Sequence, residues 1–268
     1  MSLQALLFDV DGTLADTEAH GHLPAYNRAF RELELDWEWS PKLYRELLNV
    51  PSGRERIAHY IERYKPDLGK HNEAAQSDRS AWVKTVHEHK SRHFQERLQN
   101  GQVPLRAGVK RLFAQAHAAD LRIAIVTNAS AATLEPFLAY ALGEELCSYI
   151  DAVVSGEQAQ RRKPAPDVYL KACRALNCKP ASCVAIEDSA MGLDAAYHAG
   201  IPTVVTLNAD TRAESLAHAS LIVDSLGEPG EPIQVIRSSI PGTPEYIDLD
   251  ILRRLQREFV HTAPAADG

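Results

Sequence analysis

Positive charge is in short supply in this chain: 29 lysines and arginines stand against 36 aspartates and glutamates, for a formal charge of −7. A nucleic-acid binder needs a basic face, so no nucleic-acid partner is expected. An anionic small molecule is still compatible, provided that a local cation or a metal meets it. Long hydrophobic runs are missing as well. None approaches the roughly 20 residues that cross a bilayer, so no membrane partner is expected. The apolar N-terminal run ends in acids and has neither the basic start nor the small-residue cleavage site of a secretory leader. Cysteines number four, Cys147, Cys173, Cys178 and Cys183. They lack the paired C-x-x-C spacing of a zinc site and read as reduced thiols in a cytoplasmic protein. His87 and His89, two apart on an expected helix, cannot share a face, which excludes a metal site there. No internal repeat is visible.

What is present is a globular chain of 268 residues, 45% hydrophobic, long enough for a catalytic domain carrying a smaller one. Short continuous apolar runs read as buried strands at Leu3 to Phe8, Leu121 to Val126, Cys183 to Ile186 and Pro202 to Thr206. Ser220 to Val223 is a weaker one. Helical patterns lie between them, at Val109 to Ala119, Thr133 to Leu142, Asp167 to Leu176 and Gly192 to Ala199. This alternation predicts an α/β fold, with a Rossmann-like parallel sheet layered between helices. The rhythm breaks from about Asp16 to Gly101. Only helical patterns occur there, at Leu23 to Leu33, Leu43 to Leu48, Arg56 to Tyr64 and Ala81 to Leu98, with a polar loop expected around Lys70 to Ser80. The expected organisation is a core of 1–15 and 102–230, an inserted all-helical domain of 16–101, and a partly helical extension of 231–268. Asp248 to Phe259 reads as a terminal amphipathic helix, with disorder expected from Thr262 onward.

Four clusters carry chemistry, and each follows a predicted strand or precedes a predicted helix. Asp9 and Asp11, two apart in extended chain, project together. Two carboxylates this close repel by about 4 kcal/mol at moderate dielectric, which a fold tolerates for a cation or a shared proton. Gly12 permits the sharp turn behind them. Thr127 and Asn128 offer a hydroxyl and an amide ahead of a helix N-terminus, the makings of a phosphate cradle. Lys163 sits in a loop stiffened by Pro164 and Pro166. Glu187 and Asp188 place two acids at a strand end, suited to a hard cation with oxygen ligands. Taken singly, each could be an ordinary capped turn.

Together and in this order, DVDGT, VTN, KPAPD and IEDS resemble the four motifs of the haloacid dehalogenase superfamily. The resemblance implies a Mg²⁺-dependent phosphoryl-transfer enzyme. Asp9 would be the nucleophile and Asp11 the general acid and base. Thr127, Asn128 and Lys163 would hold the phosphoryl group. Asp9, the backbone carbonyl of Asp11 and Asp188 would bind the metal, with Glu187 behind them. The insertion's position is similar to that of the helical cap of β-phosphoglucomutase and many sugar phosphatases. Within it, the stretches from Asp16 to Phe30, Tyr44 to Leu48 and Gly53 to Ile57 resemble the CbbY-like phosphatases, which include xylulose-1,5-bisphosphate phosphatases. Leu23, Pro51-Ser52 and Ala129 depart from that pattern. The resemblance implies a sugar (bis)phosphate substrate met by Glu18, His22, Tyr44, Gly53, Arg54, Arg56 and Lys90; a monomer is expected. Phosphatase and mutase outcomes both remain open, since the motifs are shared. A non-catalytic regulator is disfavoured, because Asp9 and Asp11 are both kept.

Overall fold

The computed structural model describes residues 2–50, 52–211 and 215–262. The stretch beyond Thr262 therefore lies outside the described residues, as does Pro51. The chain divides into two compact units, Met1–Asp16 with Leu105–Gly268, and Thr17–Pro104.

Among the described residues the first unit is built on seven strands: β1 (Ala5–Phe8), β2 (Arg122–Val126), β3 (Ala152–Val154), β4 (Cys183–Glu187), β5 (Thr203–Thr206), β6 (Leu221–Val223) and β7 (Val235–Ser238). Their order in the sheet is β3-β2-β1-β4-β5-β6-β7. All neighbours pair in parallel except β6 and β7. The chain winds outward from β1 in both directions, so the switch in strand order falls at β1 and β4, where open α/β sheets place ligands at the carboxyl ends. Every residue of β1, β4 and β5 is buried, which accounts for their unbroken apolar character. In one layer Ala5, Leu7, Ala124, Val126, Cys183 and Ala185 pack against Val168, Tyr169 and Ala172.

Among the described residues the second unit carries five α-helices: α1 (Leu23–Glu32), α2 (Pro41–Leu47), α3 (Gly53–Tyr64), α4 (Asn72–Ser77) and α5 (Arg79–Gln99). Ser40, Ser52 and Asp78 cap α2, α3 and α5, each side chain accepting from an N–H three residues on. Its own core is aromatic. Trp39 packs against Tyr26, Phe30, Tyr44 and Tyr60, and Trp37 lies edge-on to Phe30 and Trp82. In the sheet unit the helices are α6 (Val109–Ala118), α7 (Ala131–Phe137), α8 (Gly143–Cys147), α9 (Asp167–Ala175), α10 (Ala190–His198) and α11 (Leu249–Thr262).

Three expectations need correction. The polar stretch around Lys70 to Ser80 is mostly helical, because α4 lays Ala75 into the aromatic core. The sheet does not end at 224–230. β7 adds an antiparallel edge, and α11 packs on α6 and β4, so the expected extension belongs to the sheet unit. β3 was missed: it has three residues, and Val153 is exposed. All four cysteines are free thiols. No helix among the described residues is long and apolar enough to cross a membrane.

Candidate active site

Asp9 follows β1 directly. Its backbone N–H donates to Ile186 on β4, so the two central strands hold it in register. The chain then turns at once. The N–H groups of Thr13 and Leu14 donate to Val10, that of Gly12 donates to Ala15, and Gly12 takes φ +84°. This left-handed position suits glycine, and space demands it too: a Cβ at Gly12 would lie 2.2 Å from Asp188 Oδ2.

Asp9, Glu187 and Asp188 are buried together, with one ligand atom from each within 4.8 Å of the others. An ammonium reaches into the group. Lys163 Nζ donates to Asp9 Oδ1 at 2.6 Å, to Glu187 Oε1 at 2.6 Å and to the Val126 carbonyl at 2.8 Å. Its loop is gripped by Asn128, whose Oδ1 accepts from the Lys163 N–H at 2.9 Å while Nδ2 donates to the Lys163 carbonyl at 3.3 Å. Asn128 therefore anchors Lys163, a role not visible in the sequence. Thr127 is buried, and its hydroxyl accepts from the Ala129 N–H at 3.0 Å.

Glu187 is the most heavily held of the acids. The Tyr169 hydroxyl donates to Oε1 at 2.6 Å, and the Asp188 N–H and Ser189 hydroxyl approach Oε2 at 3.3 and 3.5 Å. Helix α10 comes in so close that a Cβ at Gly192 would lie 1.9 Å from Glu187 Oε2. Asp188 accepts from Asn208 Nδ2 at 2.7 Å and from the Thr13 hydroxyl at 3.3 Å. Tyr169, Gly192 and Asn208 carried no motif signal. Each is recognisable only once the topology brings it to these carboxylates.

Burial pushes the Asp9 carboxyl up to about 7, with Glu187 and Asp11 adding to the rise and Lys163 opposing it. Asp188 is raised well above the carboxylate range by burial, then by Asp9 and Glu187. Burial alone would lower the Lys163 ammonium, but Asp9 and Glu187 outweigh it and raise the group. One ammonium cannot balance all three carboxylates, and without a further cation the raised Asp9 and Asp188 hold protons more readily. A divalent cation with oxygen ligands fits that imbalance and that donor set.

The haloacid dehalogenase-like hydrolase family model matches residues 6–206. The chain belongs to this family. It is 42% identical to protein CbbY of Cupriavidus necator over 94% of this chain and 96% of that one. It is 37% identical to CbbY of Rhodobacter capsulatus, over 84% and 95%. Among solved structures, CbbY from Rhodobacter sphaeroides in complex with phosphate superposes with a TM-score of 0.71 at 36% identity, covering 85% of this chain and 96% of that one. A mutant of that protein in complex with xylulose-(1,5)bisphosphate gives 0.70 at 35% identity, covering 83% and 94%. The expected α/β fold and the family resemblance are both borne out.

In the helical unit, six of the seven candidate substrate residues take part in three hydrogen-bonded groups. Tyr44 donates its hydroxyl to Glu18 and accepts from Arg56 Nη1 at 3.0 Å, while Arg56 also donates to the Val50 carbonyl. Tyr26 donates to the Gly53 carbonyl at 3.3 Å. Lys90 Nζ lies 2.8 Å from His22 Nδ1, and His22 stacks on Phe94. Burial first, then Lys90, Arg56 and His87, drives the His22 imidazole well below its usual value, so it accepts from Lys90 as the neutral ring. Arg54 stands apart, exposed at the start of α3. His87 joins this region unforeseen: a Cβ at Gly53 would lie 2.6 Å from its Nε2.

Proposed function

We propose that this phosphoric monoester hydrolase removes a phosphate from a sugar bisphosphate of the xylulose-1,5-bisphosphate type, with Mg²⁺ as its cofactor. The observation that supports the chemistry best is the buried trio of Asp9, Glu187 and Asp188, which Lys163 only partly neutralises. Asp9, the backbone carbonyl of Asp11 and Asp188 would hold the ion. When bound, it offsets the charge of the anionic ester and orients it.

The remaining chemistry is done by the chain's own residues. Asp9 Oδ attacks phosphorus, and the P–O bond to the sugar breaks as an aspartyl phosphate forms. Asp11 gives its proton to the leaving sugar oxygen, then takes one from the water that releases phosphate. Lys163, Thr127 and the Asn128-anchored loop hold the phosphoryl oxygens. Glu187 keeps Lys163 in place. In the helical unit, Arg54, Arg56 and Lys90 are the cations for the phosphate that does not react, while Glu18, His22 and Tyr44 suit sugar hydroxyls. The relatives of known structure support this substrate class.

A phosphate-release screen over sugar mono- and bisphosphates with Mg²⁺ tests the reading. A pentulose 1,5-bisphosphate is expected to give the highest kcat/KM. Equal rates on unrelated sugar phosphates would remove the substrate assignment. Substrate isomerisation that depends on a bisphosphate activator and releases no phosphate would mark a mutase instead.

A further inference from the structure

Asp188 is the one member of the trio that Lys163 does not touch. Its shorter hydrogen bond comes from Asn208, two residues beyond β5. Nδ2 of Asn208 donates to Asp188 Oδ2 at 2.7 Å. The other end of the same amide is locked: Asn208 Oδ1 accepts from the Asp210 N–H at 2.8 Å, from the Thr211 N–H at 3.0 Å and from the Thr211 hydroxyl at 3.2 Å. Three donors on the oxygen fix which way the amide faces, so the NH₂ group is committed to Asp188.

The loop itself is held at a set height. Arg106 donates through Nη1 to the Thr206 carbonyl at 3.1 Å and to the Gly12 carbonyl. Through Nη2 it donates to the Leu207 carbonyl at 2.6 Å and the Asp224 carbonyl at 2.8 Å. One guanidinium thus ties the turn after Asp9 to the loop that delivers Asn208. Gly12 completes the junction, since a Cβ there would meet both Asp188 Oδ2 and Asn208 Nδ2.

We propose that Asn208 is a positioning residue for metal binding: its locked amide orients Asp188 through Oδ2, so that Oδ1, which takes a 3.3 Å bond from the Thr13 hydroxyl, faces the cation. The inference rests on the proposed metal role of Asp188 and adds a determinant of affinity outside the four motifs.

Calorimetric titration of Mg²⁺ into the metal-free protein tests it. Asn208→Ala is expected to weaken Mg²⁺ about 10- to 100-fold, the usual effect of removing a group that orients a ligand. Its melting temperature in EDTA should stay within about 3 °C of wild type, less than a loss of about 1 kcal/mol or so would allow. Thr211→Val loosens the turn but spares the amide, and is expected to keep affinity within about threefold. Unchanged affinity in Asn208→Ala overturns the proposal, as does an equal loss in Thr211→Val. Asp188→Asn separates the two readings. If that variant binds Mg²⁺ as tightly as wild type, the metal assignment itself fails. If it loses Mg²⁺ while Asn208→Ala does not, Asn208 alone is excluded.

Discussion

Replacing Lys163 by methionine keeps the length of the side chain and removes the one ammonium that the described residues place among the buried acids. In the native arrangement that ammonium lies 2.6 Å from both Asp9 and Glu187. Without it, three carboxylates remain within 4.8 Å of one another. At an effective dielectric of about 20, each pair at that distance repels by about 3.5 kcal/mol. The cost has a ceiling, because a carboxyl can take up a proton instead. Neutralising one at pH 7 costs about 4 kcal/mol, at about 1.36 kcal/mol per unit from its ordinary value. The variant should therefore lose about 3–4 kcal/mol in EDTA, or about 6–16 °C in melting temperature for a unit of this size. The sign with pH is fixed as well. Carboxyls raised in the folded state contribute stability that is intact below their unfolded values and lost as pH climbs through the raised ones. The gap between Lys163→Met and wild type should widen from about pH 5 to pH 8. Thermal melts across that range provide the assay. A drop below about 3 °C, or a gap that narrows with rising pH, would refute the electrostatic reasoning.

Asp9→Asn should lower phosphate release by about four orders of magnitude or more while the melt in EDTA stays cooperative; substantial residual turnover would remove Asp9 as nucleophile. Gly12→Ala forces an alanine to φ +84° against Asp188. It should cost about 1–3 kcal/mol in urea unfolding and about 100-fold or more in kcat/KM. In the helical unit, hydrogen bonds from His89, His93 and Arg92 hold Glu32 down to about 2. Glu32 is more than a third exposed, so solvent screening limits Glu32→Gln to a loss of about 1 kcal/mol or less. A depressed carboxyl gives stability that is present above its unfolded value and lost as pH falls towards 2. The variant and wild type should therefore converge in acid melts, and a difference that grows below about pH 4 would contradict the assignment.

Much of this arrangement was legible in the chain because the sheet's central strands are buried on both faces. Such strands must be short, unbroken apolar runs, and the polar residue that ends each one then stands out. Asp9, Thr127 and the Glu187-Asp188 pair were found in that way. The rest leaves too little local signature, for more than one reason. Asn208, Tyr169 and Arg106 act through partners far away in sequence, at separations that no local pattern encodes. β3 has three residues with an exposed middle, too little for a pattern of burial to show. β7, with Ile236 turned to solvent, carries no core signature either. α4 was hidden because Ala75 is its one buried residue, and a single alanine in a polar stretch looks like loop.

The chain leaves the sheet unit after Asp16 and rejoins it at Leu105, whose backbone bridges that of Ala15. For the sheet, everything in between amounts to one loop with its ends already pinned together. Loop length weighs on stability only logarithmically, so a longer, shorter or different insertion would cost the rest of the fold little. A lineage, or a protein engineer, can therefore exchange what hangs from that junction while the acids and the lysine stay as they are, and so redirect an unchanged reaction to a new molecule.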